Sequence, residues 1–168
     1  MRIKVFSSKY LDDLVGEAVV SQRRRRHRNV HLDYSEPCQR LFNAIEPDSY
    51  LRPHCHGSAQ GSEMMIAVRG LMALILFSDI GEVEQILFFG SDPGNVTKEV
   101  AVGVEVFPGV WHSVVSLKTG SILLEVKSGP FDPSDPKRLA HWAPEEGSAD
   151  AQLFFEKIRN EVIEALSD

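Results

Sequence analysis

The stretch Arg52-Pro53-His54-Cys55-His56 is the part of this sequence from which the fold can be predicted. Along a β-strand successive side chains point to opposite faces, so His54 and His56 face the same way and the intervening cysteine faces the other. Their Cα atoms are then about 6.6 Å apart, which lets both imidazoles bind one metal ion. Glu63 and, far downstream, His112 would complete a mixed nitrogen and oxygen site of the kind that divalent transition metals prefer.

The sequence around these residues is typical of β-structure. Glu63 opens a strongly apolar run, and further short apolar runs follow it, separated by turn residues, as far as Lys127. Many short strands with such punctuation predict a sandwich or a barrel, and periodicity alone does not choose between them. Apolar residues at helical spacing predict one helix over residues 8–20 and another over residues 148–167.

Two motifs carry a resemblance to a known superfamily. His54-x-His56, then Glu63, then six residues to Gly70, looks like the first cupin motif, and Gly103-x4-Pro108-Gly109-x-x-His112 looks like the second. The gap from His56 to Glu63 is longer than in the general motif. Phe107 stands where the second motif has its first proline.

The resemblance extends to one family of cupin-fold metalloproteins, named WbuC and found among surface-polysaccharide genes, over residues from about Leu11 to Glu146. Stretches that carry it include Gln39-Arg40-Leu41-Phe42-Asn43-Ala44, Pro108-Gly109-Val110-Trp111-His112, Leu124-Glu125-Val126-Lys127-Ser128-Gly129-Pro130-Phe131-Asp132 and Trp142-Ala143-Pro144-Glu145-Glu146. It implies a mainly β protein, a cupin double-stranded β-helix (jelly-roll) barrel with short N-terminal and C-terminal helices. It also implies a metal inside the barrel.

We expect residues 1–168 to form a single cupin domain. Its predicted parts are a helical segment over residues 8–20, a barrel over about 29–127, a proline-rich crossing segment over 129–147 and a helix over 148–167. The prolines of the crossing segment argue against a regular ladder, since each removes a backbone donor.

The predicted ligands of one divalent transition metal ion, which could be Zn, Fe, Mn or Ni, are His54, His56, Glu63 and His112. Open coordination positions would allow Lewis-acid or water-activating chemistry, or oxygen activation by iron. This predicts an enzyme acting on a small polar substrate. The resemblance suggests a sugar or sugar nucleotide in surface-polysaccharide biosynthesis. The alternatives are a non-catalytic metal-dependent binding or sensing protein and a purely structural metal.

The candidate substrate-binding residues are polar side chains near the predicted ligands or within a run of arginines: Arg52, Glu125, Lys127, Arg24 and Arg26. Glu125 and Lys127 lie two residues apart on one predicted strand. They therefore share a face, which is either the barrel interior or the solvent side of a sheet edge. If they face inward they must pair or contact a bound ligand, because lone buried charges are costly.

The arginine run, Arg23 to Arg28, has five arginines within six residues. It could be a solvated edge strand or loop, paired with acidic residues of the same fold such as Glu145 and Glu146. It could instead bind phosphate or carboxylate, because the guanidinium fork matches these anions with two hydrogen bonds. We predict a position near the barrel mouth, in this chain or in a partner of a homodimer.

Composition excludes several classes of function. The 168 residues carry a formal net charge of -6, which argues against a general nucleic-acid binder. The longest apolar run, residues 71–77, is far too short to span a membrane, and the N-terminal residues lack a secretory signal. Cys38 and Cys55 are too few for a disulfide framework, so both are expected to stay reduced. We therefore expect a cytoplasmic protein with a small-molecule ligand and no membrane or nucleic-acid partner.

Overall fold

A computed structural model describes residues 3–58, 61–134 and 136–167. Its elements in chain order are α1 (Ser8–Val20), β1 (Arg25–Asn29), β2 (Cys38–Ile45), β3 (His54–Cys55), β4 (Glu63–Arg69), β5 (Leu71–Phe77), β6 (Val83–Gly90), β7 (Gly103–Val106), β8 (Trp111–Ser116), β9 (Ser121–Ser128), β10 (Arg138–Leu139) and α2 (Ala149–Ser167). The predicted class, mainly β with a helix towards each end, is confirmed.

The strands form two five-stranded sheets with the orders β1-β2-β9-β4-β7 and β10-β3-β8-β5-β6. Neighbouring strands within each sheet run antiparallel. Sequence neighbours such as β8 and β9 lie in different sheets, so the chain crosses repeatedly from one sheet to the other. The described part of the chain contains no helix long and apolar enough to cross a membrane.

The main core lies between the two sheets. Met65 and Leu123 from the first sheet meet Leu74 and Val114 from the second, and all four side chains are buried. Because side chains alternate along a strand, Leu123 fixes the inward face of β9, and Val114 does the same for β8. Glu125 and Lys127, which follow Leu123 by two and four positions, therefore point into the barrel. His112, two positions before Val114, does so as well.

Each helix covers the outer face of one sheet. Helix α1 begins after Ser7, whose hydroxyl oxygen accepts a hydrogen bond from the Tyr10 N–H at 3.2 Å and caps the first turn. It packs on the first sheet through Leu11, Leu14 and Ala18. Helix α2 packs on the second sheet through Phe155, Ile158 and Val162.

Two boundaries differ from the predicted layout. The first strand begins at Arg25 rather than at about residue 29, so most of the arginine run is the edge strand of the first sheet. The crossing segment contributes a two-residue strand, β10, which pairs with β3. Pairing is possible there because Arg138 and Leu139 lie between Pro136 and Pro144 and both keep their backbone N–H groups.

Candidate metal centre and adjoining cavity

Four side chains converge from both sheets at one point inside the barrel: His54, His56, Glu63 and His112. Each offers a ligand atom, and these atoms all lie within 4.8 Å of one another. Strand pairing explains the convergence, because His54 lies directly opposite His112 across β3 and β8, and Glu63 opens β4 in the facing sheet. The four residues are at most 7% exposed. The predicted ligand set is thus brought together.

Backbone carbonyls orient two of the imidazoles. His54 Nδ1 lies 3.1 Å from the Arg52 carbonyl oxygen, and His112 Nδ1 lies 2.9 Å from that of Val110. A carbonyl oxygen only accepts hydrogen bonds, so Nδ1 carries the proton in each ring and Nε2 keeps its lone pair. Such backbone partners are the usual way of fixing a metal-binding histidine.

The ring nitrogens and the carboxylate oxygen left without a proton are suited to bind a cation. Glu63 Oε2 lies 3.2 Å from His56 Nε2 and 3.4 Å from His112 Nε2. On His112 the lone pair of Nε2 then faces an anionic oxygen, an arrangement that is unfavourable unless a positive charge lies between them. Three imidazole nitrogens and a carboxylate oxygen suit a divalent transition metal ion.

The charge states of the cluster agree with this interpretation. Burial lowers the pKa of His54 well below its ordinary value, which favours the neutral form that binds metals. Burial alone would raise the pKa of Glu63. The neighbouring polar groups of His112, His56 and Glu125, together with the charge of Lys127, outweigh that effect and hold the pKa of Glu63 well below its usual range.

Glu125 and Lys127 point into the barrel, which is one of the two orientations that the sequence left open. Lys127 Nζ lies 2.7 Å from Glu125 Oε1 and 3.6 Å from Glu63 Oε1. Burial, followed by the charge of Glu63, raises the pKa of Glu125 to about 8. Burial opposes the charge on Lys127, but the two carboxylates outweigh it and raise the pKa of Lys127. The pair therefore lies beside the metal centre.

A cavity of about 450 Å³ leads to this centre. It shares Asn43, Leu51 and Glu125 with a recess of about 30 Å³ that is lined by His54, Glu63 and His112. Its other lining side chains include basic and aromatic residues: Arg23, Arg25, Arg26, His27, His31, Tyr34, Lys127, Phe131 and Lys137. The cavity therefore adjoins the recess at the cluster.

The predicted anion-binding pair, Arg24 and Arg26, has acidic partners within the fold. Arg24 lies outside the cavity lining, and its Nε is 2.9 Å from a carboxylate oxygen of Asp48. Arg26 borders the cavity, but its Nε is 3.3 Å from Glu17 of helix α1. The structure therefore does not bring these two guanidinium groups together around one cavity position.

Strand pairing explains this separation. Arg25 and His27 lie opposite Ile45 and Asn43 of β2, which face the barrel interior, whereas Arg26 lies on the other face, towards α1. Arg25 donates to the Tyr50 carbonyl at 2.8 Å. Sequence alternation indicates that Arg25 and His27 share a face, but only the pairing with β2 shows that this face is the inner one.

Glu146 is the acidic partner of two arginines in the run. Arg23 Nε lies 2.9 Å from one of its carboxylate oxygens, and Arg25 Nη2 lies 2.5 Å from the other. Pairing with acidic residues of the same fold, one of the roles considered for this run, is therefore observed at Arg23 and Arg25 as well as at Arg24 and Arg26.

Arg52, another candidate substrate-binding residue, contacts the crossing segment. Its Nη2 donates to the Ala140 carbonyl at 2.8 Å, and its Nη1 lies 3.8 Å from Glu145. It is absent from the cavity lining. Residues 50–53 precede the short strand β3, so the alternation that aligns His54 with His56 does not extend back to Arg52. Arg52 instead ties the crossing segment to the barrel.

Comparison with known proteins places the chain in a family and a fold. The model of the family described as "Domain of unknown function (DUF6016)" matches residues 6–89, half of the chain. The search of curated proteins found no match to this chain.

Three solved structures share the architecture at low sequence identity. Protein SO0799 from Shewanella oneidensis is 14% identical, with a TM-score of 0.58 over 90% of this chain and 94% of its own. A conserved protein with a double-stranded β-helix domain from Klebsiella pneumoniae is 13% identical, with a TM-score of 0.55 over 83% and 99%. The conserved protein SPY1581 from Streptococcus pyogenes is 12% identical, with a TM-score of 0.51 over 79% and 92%. The predicted double-stranded β-helix is confirmed, and the chain belongs to the DUF6016 family.

Proposed function

We propose that this protein binds one divalent transition metal ion through His54, His56, Glu63 and His112 and is an enzyme that acts on a small polar substrate. The observation that carries the proposal is the burial of three imidazoles and a carboxylate beside a cavity of about 450 Å³, which shares lining residues with the recess at the cluster. Structural metal sites are usually closed, whereas catalytic sites keep a path to solvent and substrate. The cavity supplies such a path.

The bound ion would supply a Lewis acid that polarises a substrate oxygen or lowers the pKa of a water molecule. Side chains of the protein would bind and orient the substrate. Glu125 and Lys127 lie where the cavity meets the centre, so they are placed to orient the substrate and to exchange hydrogen bonds with it. The buried ligands His54 and His112 are held by backbone carbonyls, which keeps their Nε2 atoms aimed at one point.

The substrate class that we propose is a sugar or a sugar nucleotide of surface-polysaccharide biosynthesis. The sequence resemblance to the WbuC cupins supports this class, and so does the basic lining of the cavity. A metal-dependent binding or sensing protein would use the same centre without turnover. Incubating the metal-loaded protein with sugar nucleotides and following product by mass spectrometry separates the two: binding without turnover would favour the second function.

Metal analysis tests the centre itself. Protein purified without chelator is expected to contain about one metal ion per chain, and His54→Ala and His112→Ala are expected to lose most of it, because each removes a buried ligand. His141→Ala is the matched control, since His141 is exposed and lies outside the cluster. If both ligand variants keep as much metal as the control, the proposed centre is wrong.

A further inference from the structure

A buried donor without a partner marks the outer part of the cavity. His31 lines the cavity and is 5% exposed. Its Nε2 has no hydrogen-bond partner among residues 3–58, 61–134 and 136–167. Such a group costs free energy unless a ligand or water satisfies it, so buried polar atoms without partners are rare.

The backbone assigns the proton on this ring. The Arg40 N–H points at His31 Nδ1 from 3.0 Å, so Nδ1 accepts a hydrogen bond. The Arg40 carbonyl oxygen lies 2.9 Å from the same nitrogen, but it already accepts from two other donors, the Val30 N–H at 2.7 Å and the His31 N–H at 3.4 Å. The Arg40 N–H can only donate, so Nδ1 is assigned as its acceptor. In the neutral ring the hydrogen therefore lies on Nε2, which is a hydrogen-bond donor without an acceptor among the described residues.

Two aromatic rings lie at the same end of the cavity. The Tyr34 and Phe131 ring centroids are 5.2 Å apart, and Tyr34 is 5.6 Å from His31. Both rings are partly exposed, at 55% and 39%. The Tyr34 carbonyl accepts hydrogen bonds from the Phe131 N–H and from the Gln39 side chain, so the backbone that carries the rings is fixed. Rings held this way offer a flat apolar surface to a ligand ring.

The cavity wall carries an excess of positive charge. Within the described part of the chain, Glu125 is the one acidic side chain of the lining, against five basic ones: Arg23, Arg25, Arg26, Lys127 and Lys137. The first four of these have carboxylate partners. Lys137 forms no salt bridge with the described residues, so its charge is available to an anion.

We propose that this cavity binds a small, oxygen-rich ring compound that carries one phosphate or carboxylate group. The ring lies against Tyr34 and Phe131, an oxygen on it accepts a hydrogen bond from His31 Nε2, and the anionic group lies against Lys137. A volume of about 450 Å³ suits one ring with one such group. The inference rests on the proposed function in taking this cavity as the path to the metal centre.

Calorimetric titration of the metal-loaded protein with five probes tests the inference. Glucose 1-phosphate and glucuronate, which represent the two anionic groups, are expected to bind at least tenfold more tightly than glucose or inorganic phosphate. The tighter of the first two identifies the anion. If glucose or inorganic phosphate binds as well as both anionic sugars, the combination of ring and anion is refuted. Uridine monophosphate binding tenfold better than either sugar would overturn the choice of a single ring.

Variants test the residues. His31→Asn keeps an acceptor for the Arg40 N–H but removes the Nε2 donor, so binding of the better probe should weaken about tenfold. Lys137→Met should weaken it by a similar factor, and Lys157→Met, the same change on an exposed part of α2, should not. Unchanged affinity in Lys137→Met, or in a folded His31→Asn protein, refutes the assigned contacts.

The same titrations after removal of metal separate this inference from the proposed function. His31 and Lys137 are not among the four proposed metal ligands. If the purified protein contains no metal but binds an anionic sugar through His31, the metal proposal fails and the cavity inference holds. If metal is present at one ion per chain and none of the probes binds, the cavity inference fails and the metal proposal holds.

Discussion

Replacing Glu63 by glutamine is the most informative change in the metal centre. The substitution keeps the size of the side chain but removes the only negative charge among the four candidate ligands. Losing partners that merely orient a metal ligand costs about 10–100-fold in affinity, so losing a charged ligand should cost about 100-fold or more. The effect should be large because Glu63 Oε2 lies within 3.4 Å of two imidazole nitrogens in a buried position.

Thermal unfolding converts this loss into a measurable shift. With free metal at 100 times the wild-type dissociation constant, binding stabilises the folded protein by about 2.7 kcal/mol. A variant that binds 100-fold more weakly gains only about 0.4 kcal/mol under the same conditions. The difference of about 2.3 kcal/mol corresponds to roughly 5–9 °C in Tm for a chain of this length. The assay is calorimetry or circular dichroism at matched metal concentration, with and without chelator.

Glu125→Gln is the matched control for this experiment. Glu125 lies on the neighbouring strand β9, also contacts Lys127 and undergoes the same change from carboxyl to amide, but it lies outside the ligand cluster. Its metal affinity should fall by tenfold or less. Equal losses in the two variants would show that the carboxyl groups around Lys127 affect metal affinity in general, and that ligation by Glu63 does not control binding. A Glu63→Gln protein that keeps wild-type affinity would refute the carboxylate as a ligand.

Two further predictions concern the scaffold around the site. Gly70→Ala should lower the free energy of unfolding, measured in urea, by about 1–3 kcal/mol more than Gly147→Ala does. Both glycines have positive φ, but of the two only Gly70 would bring an added Cβ into collision with Ser121. Equal effects would refute this reasoning. The charge reversals Arg24→Glu and Arg26→Glu should each lower the free energy of unfolding by about 1 kcal/mol or less and leave the metal content unchanged, because each removes an ion pair near the surface. Loss of metal in either variant would contradict this prediction.

The ligand set could be predicted because it depends on local rules and on a resemblance. Alternation along a strand places His54 and His56 on one face whatever surrounds them, and their facing partner His112 belongs to a recognisable second motif. Six residues separate Glu63 from His56, so no local periodicity connects the two. Its place in the cluster follows from the pairing of β4 in the opposite sheet, which only the resemblance suggested.

The rest of the site depends on pairings between distant segments. Whether Arg25 or Arg26 faces inward is decided by the register with β2, twenty residues later, and a shift by one residue would exchange them. The sequence alone assigns His31 no role in the cavity, since nothing in its own sequence neighbourhood shows that Arg40 would occupy only one of its two ring nitrogens. The position of Arg52 also cannot be derived from alternation, because residues 50–53 precede the short strand β3.

The two ends of the cavity are formed by different kinds of local structure, paired strands at the inner end and mostly irregular segments at the outer end. The inner end is made by strands β3, β4 and β8, whose hydrogen-bonded ladders fix the ligand atoms. The outer end is made largely by irregular segments, since His31 and Tyr34 precede β2 and Phe131 and Lys137 lie in the crossing segment. Substitutions in irregular surface segments disturb a fold less than substitutions in paired strands. Ligand preference could therefore change through residues 30–37 and 129–137 while the metal centre stays the same.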